Sequence, residues 1–173
     1  MQLVKINSFI ALLFLAFAGV NVASLESDRE QDILYSSLGR STSRIENGVR
    51  IITLEQDVKV TQGSLEITGD NAVFESEAES STINRVTVTG SPANYRQQLD
   101  PGGDFIAGES ESIYYYVEAE PIVEFVGSAI LRSTNDVISC AAIKYFTESR
   151  FTETTGPCEG VSGRSSFSNP PGN

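Results

Sequence analysis

The chain has 173 residues, 23 acidic against 12 basic, and a formal net charge of −11. That balance excludes a nucleic-acid footprint, which needs clustered Lys and Arg, and simple attraction to an anionic membrane surface. There is no histidine, which removes Ser-His-Asp and Cys-His nucleophile systems and most zinc sites.

Lys5 precedes an apolar run, "INSFIALLFLAFAGVNV", that closes on Val22, Ala23 and Ser24. A basic start, an apolar stretch and a small-residue exit form a secretory signal peptide, expected over residues 1–24. The alternative is an uncleaved anchor; about 17 residues is the lower limit for a bilayer, and no basic stop-transfer cluster follows. Removing residues 1–24 takes away Lys5 alone among the charges and leaves enough chain for one domain. That domain is expected over residues 25–155, behind the polar lead "SLESDREQD". A flexible Gly-, Ser- and Pro-rich tail is expected over 156–173.

From Val49 onward apolar residues recur at every second position, which predicts strands. In "VKVTQGSLEITGDNAVF", Val58 and Val60 alternate with Lys59 and Thr61, and Gln62-Gly63 turns the chain. Leu65 and Ile67 then share a phase, Gly69-Asp70 breaks it, and Ala72 and Phe74 resume. The same pattern continues through Val86 and Val88, Ala93 and Tyr95, then Ile113, Tyr115 and Val117, with Gly90-Ser91-Pro92, Asp100-Pro101-Gly102-Gly103, Gly127 and Asn135-Asp136 as turns. The expectation is many short antiparallel strands of four to six residues, in a sandwich, jelly roll or barrel. A shift of 71 residues lays "AILRSTNDVISCAAIKYF" over the first stretch, pairing Val58 with Ala129, Ile67 with Ile138 and Phe74 with Tyr145.

Carboxylates cluster at Glu75, Glu77 and Glu79, at Glu109 and Glu111, and at Glu118 and Glu120. Two acids flanking a groove could hydrolyse a glycoside, and acid clusters can hold calcium. Acids alternating along strands more commonly form the solvent face of a sheet. Neither a catalytic residue, a metal site nor a cofactor is therefore expected. Export makes Cys140 and Cys158 a plausible disulfide, worth roughly 3 kcal/mol by loop-closure entropy; two unpaired thiols are the alternative.

"VKVTQGSLEITGDNAVF", "GSPANYRQ" and "GESESIYYYVEAEPIVEFVGSAIL" resemble, in order and spacing, the OstA-like family of periplasmic lipopolysaccharide-transport bridge proteins, the LptA family. The resemblance runs from about Ile33 to Phe151. It implies an all-β fold: a single open, V-shaped β-jelly roll with an apolar lining. Along that lining the lipid A acyl chains of lipopolysaccharide would slide. It also implies a periplasmic location, head-to-tail stacking of copies through terminal strands, and partners in an inner-membrane transporter complex and an outer-membrane insertion complex. Carried over by motif, the lipid-contacting residues are Tyr95, Tyr115, Val117 and, in the first strand, Leu34. The in-phase positions Val58, Val60, Ile67, Phe74, Ile113, Phe125 and Leu131 complete the expected lining. The family's first strand runs into Ser-Asp, where this chain has Leu38-Gly39. Two rivals remain at this point: a membrane-anchored partner of the same pathway, and a secreted polysaccharide-binding β-sandwich.

Overall fold

The computed structural model describes residues 28–99, 103–117 and 120–163. The expected signal peptide, the last ten residues of the expected tail and Glu118 lie outside them.

Nine strands follow in chain order: β1 (Leu34–Ser36), β2 (Ser41–Glu46), β3 (Val49–Gln62), β4 (Leu65–Glu77), β5 (Ile83–Gln98), β6 (Phe105–Tyr116), β7 (Ile122–Arg132), β8 (Asp136–Phe146) and β9 (Phe151–Ser162). Every pairing is antiparallel. From β3 to β9 each strand pairs with the next, while β1 and β2 share the free side of β3. The sheet is open: β9 ends it on one side and β1 with β2 on the other. The all-β jelly-roll expectation holds.

Strand length does not follow the four-to-six-residue expectation, since β3 to β9 run from 11 to 16 residues. Gly69-Asp70, Gly90-Ser91-Pro92 and Gly127 sit inside strands, at register shifts. They bend the chain without ending the ladder, because a bulge adds a residue to one strand and leaves the flanking hydrogen bonds in place. Apart from a shift at Glu75/Ser76 near the β4–β5 turn, the breaks fall at Glu55/Val58, Thr68/Asn71, Thr89/Ala93, Glu109/Ser112, Val126/Ala129 and Cys140/Ala142, one beside the next across the sheet. They divide it into two half-sheets. One holds 49–55, 71–77, 83–89, 112–116, 122–126 and 142–146; the other holds 58–62, 65–69, 93–98, 105–109, 129–132 and 136–140.

The half-sheets face each other across the corner formed by the breaks. Tyr95 of one meets Phe125 of the other edge to face at 5.6 Å, and Tyr35 meets Phe74 at 4.9 Å. The 71-residue echo belongs to this corner. Gln56 and Asp57 turn β3 with φ of 67° and 50°, and Gly127 and Ser128, 71 positions later, turn β7 with 85° and 50°. The same shift sets Gly69 against Cys140, and these two residues lie at corresponding breaks in β4 and β8.

The expected tail boundary at residue 156 falls inside β9, which pairs with β8 as far as Asp136↔Ser162. Cys140 and Cys158 are directly opposite in that pairing, 4.3 Å apart at Cα, and form a disulfide. The bond ties the weakly apolar last strand to the sheet, an anchor that the composition of 156–162 does not itself provide.

Candidate functional site: the apolar interior and its seam

Period-two alternation sends one side chain in two between the half-sheets. Val58, Val60, Ile67, Phe74, Tyr95, Ile113, Tyr115, Phe125 and Leu131 all join one buried apolar cluster, and Val117 packs partly buried against it. Leu34 departs from the expectation. It pairs with Thr61 on the outer face and is 64% exposed, whereas Tyr35 pairs with inward Val60 and reaches Phe74. Residues directly opposite in an antiparallel pair share a face, so the register with β3 makes Tyr35 the inward residue of β1.

The corner closes one side of the V, and the hairpin tips flank a seam along the other. Towards β9 the seam holds an open cavity of about 510 Å³, lined by Leu99, Ile106, Leu131, Ile138, Tyr145 and Val161 among others. Arg150 stands at its border and donates to the Leu99 carbonyl oxygen at 3.0 Å. Ile106, Ile138 and Tyr145 had the right parity to be read as inward. Leu99 lies beyond the end of β5, where alternation carries no signal.

Elsewhere the seam is polar. The Tyr95 hydroxyl donates to Gln97 Oε1 at 2.6 Å and the Tyr115 hydroxyl to Gln62 Oε1 at 2.9 Å. Each amide turns its nitrogen to the turn at 28–31: Gln97 to Asp28 Oδ2 at 3.2 Å, Gln62 to the Gln31 carbonyl at 3.1 Å. Asp28 also accepts from the Ser64 amide at 2.8 Å and the Ser64 hydroxyl at 2.5 Å. Sequence reading missed both glutamines, although each continues an inward phase, Val58-Val60-Gln62 and Ala93-Tyr95-Gln97. Burial pushes the Tyr115 hydroxyl up to about 12, with Asp28 adding to the rise and Arg29 opposing it. Burial raises Tyr95 well above its ordinary value, helped by Tyr145, Tyr115 and Asp28.

Apart from Asp28, the described acids stand outside. Glu109 accepts from Arg132 at 2.9 Å, Glu66 pairs with Lys59 at 2.6 Å, Glu75 pairs with Arg85, and Glu120 accepts from the Ser149 amide and hydroxyl. Among the described residues, no three of His, Cys, Asp and Glu are grouped to hold a metal ion.

Fold and interior together define an open, unclosed β-jelly roll whose inner face is apolar and whose outer face carries the charge. The family described as "LptA/(LptD N-terminal domain) LPS transport protein" matches residues 41–151, more than half of the chain. The chain belongs to that family. Among solved structures it is similar to LptH from Pseudomonas aeruginosa, described as the LptA-homologous periplasmic component of the conserved lipopolysaccharide transport device. The identity is 26%, the TM-score 0.64, and the match covers 76% of this chain and 87% of that one. No curated protein matches. Family and fold are those of a transport protein.

Proposed function

We propose that this chain is a periplasmic lipopolysaccharide carrier that shields acyl chains between its half-sheets. It links inner-membrane and outer-membrane transport complexes by head-to-tail stacking. The observation that carries the reading is the apolar seam cavity. At about 510 Å³ it lies within the range of roughly 300–1,000 Å³ that holds a small ligand, and its wall includes core residues Ile106, Leu131 and Tyr145.

The need for such a surface follows from the cargo. Exposing a saturated chain of about a dozen carbons to water costs on the order of 9 kcal/mol, at roughly 0.8 kcal/mol per methylene. A carrier lined by Val, Ile, Leu and Phe offsets that cost without directional bonds that would trap the chain. Affinity from acyl burial also suits an acidic protein with an anionic glycolipid.

Stacking has support at both ends of the sheet. Leu34, Leu38 and Ile45 are exposed by β1 and β2, and Phe151 and Val161 by β9. A neighbouring copy can add its strand to such an edge by β-augmentation. Residues 1–24 supply export on this reading, and N-terminal sequencing of the secreted form separates it from an anchored partner.

Photo-crosslinking from Leu131 and Ile138 in cells is the test. Adducts with lipopolysaccharide from both positions, and none from outward Lys144, are expected. Equal adducts from all three positions, or adducts with peptides alone, would remove the reading.

A further inference from the structure

The segment at 28–31 belongs to no strand, yet it touches both half-sheets. Asp28 reaches Ser64 at the tip of the β3–β4 hairpin, and Arg29 pairs with Glu148 in the β8–β9 connection. Asp28 is only 8% exposed, and the polar ends of inward side chains from β3 and β5 turn towards the segment, Gln62 to the Gln31 carbonyl and Gln97 to the Asp28 carboxylate. Adding a Cβ at Gly63 would overlap Asp28, 2.7 Å from its Cγ. The fit therefore depends on glycine at a position where φ is also +58°.

The composition of the segment decides how it is held. Asp28, Arg29, Glu30 and Gln31 contain no apolar side chain, so lifting them away uncovers little greasy surface from the segment itself. The contact consists of hydrogen bonds and an exposed ion pair. A ligand anion can replace the carboxylate against the same donors, the Ser64 amide, the Ser64 hydroxyl and Gln97 Nε2.

We propose that Asp28–Gln31 is a strap across the seam, and that the anionic headgroup of an acylated lipid displaces it and takes the carboxylate's place at Ser64 and Gln97. The inference rests on the lipid-carrier reading above and adds its point of access. With the strap in place Asp28 is a built-in competitor; with it lifted, the Gln62–Tyr115 and Gln97–Tyr95 pairs face the opening and the apolar interior lies behind them. A strap closed about nine-tenths of the time lowers apparent affinity about ten-fold.

The test uses the full exported chain with two probes, a diphosphorylated polyacyl glucosamine disaccharide (lipid A) and its dephosphorylated form. Asp28→Ala removes the competing anion, and Gly63→Ala expels the strap while keeping Asp28. Each variant, once shown folded by thermal unfolding, is expected to bind lipid A about ten-fold more tightly than the unaltered chain. In the unaltered chain lipid A is expected to speed trypsin cleavage after Arg29, within the lifted strap, a readout independent of either variant. Unchanged or weaker binding in the folded variants, or cleavage after Arg29 no faster in the lipid complex, overturns the strap. Equal acceleration by the dephosphorylated lipid overturns headgroup displacement. No binding of either lipid by any form sinks the carrier reading itself.

Discussion

Replacing Gly108 by alanine puts a methyl group against the ring of Phe125. The new Cβ would lie 2.5 Å from Cζ and 3.0 Å from Cδ1, and closer still to Cε1. Gly108 belongs to one half-sheet and Phe125 to the other, so this contact measures how tightly the V is closed. The ring cannot swing away freely, because it has no exposed surface and already packs edge to face on Tyr95. Overfilling such a site costs about 1–3 kcal/mol. Phe125→Leu alone leaves a small void and costs roughly 1 kcal/mol. Combined, the added methyl enters the space the ring vacates, and the pair is expected to cost at least about 1 kcal/mol less than the two changes summed. Urea unfolding measures this, with an unchanged m-value showing that the same surface is exposed. A Gly108→Ala variant within about 0.5 kcal/mol of the unaltered protein, or a strictly additive pair, would refute the face-to-face arrangement.

Among the described residues the buried Tyr145 hydroxyl has no hydrogen-bond partner, so Tyr145→Phe is expected to be neutral or stabilising by up to about 1 kcal/mol in the same unfolding assay. Opening the Cys140–Cys158 bond, which spans 18 residues, by a double Ala substitution is expected to cost roughly 3 kcal/mol and to raise hydrogen exchange first along β9. The Tyr115 hydroxyl ionises near pH 12 in the folded chain and near 10 once unfolded. The folded state therefore binds the extra proton in that window. The resulting stability is fully present below pH 10 and is lost as pH rises towards 12, on the order of 2–3 kcal/mol from this group. Phenolate absorbance titration, with and without denaturant, checks the order of ionisation; a folded chain whose tyrosines all ionise near 10 would contradict it.

The alternation of Val58, Val60, Ile67, Phe74, Ile113 and Phe125 was enough to place them on the inner face, because a two-residue period needs only local sequence. Strand length was not legible. Gly69-Asp70 and Gly127 look like turn residues, and what makes them corners is the continued pairing of both neighbours, a long-range property. Leu34 fails for a related reason: which of Leu34 and Tyr35 faces inward is fixed by pairing with Val60 in β3, and a one-residue slip exchanges them. Gln62 and Gln97 were in phase but polar, and a reading that seeks apolar lining passes over them. Their partner, the Asp28 turn, is 36 residues from Ser64 and has no periodic signal of its own.

The strong net charge and the apolar interior are reconciled by where each acid sits. The strands place their carboxylates on the outer face, as alternation with Val and Ile requires, and Glu46, Glu66, Glu75 and Glu109 pair there with Arg or Lys. Among the described residues only Asp28 is a buried acid, and it lies before the first strand. A charge fixed on an inward strand position could leave only if the ladder broke. A charge on a four-residue polar segment leaves when a handful of hydrogen bonds exchange. Placing the single buried carboxylate off the sheet keeps the interior free of fixed charge while letting the seam be closed by a group that a competing anion can replace.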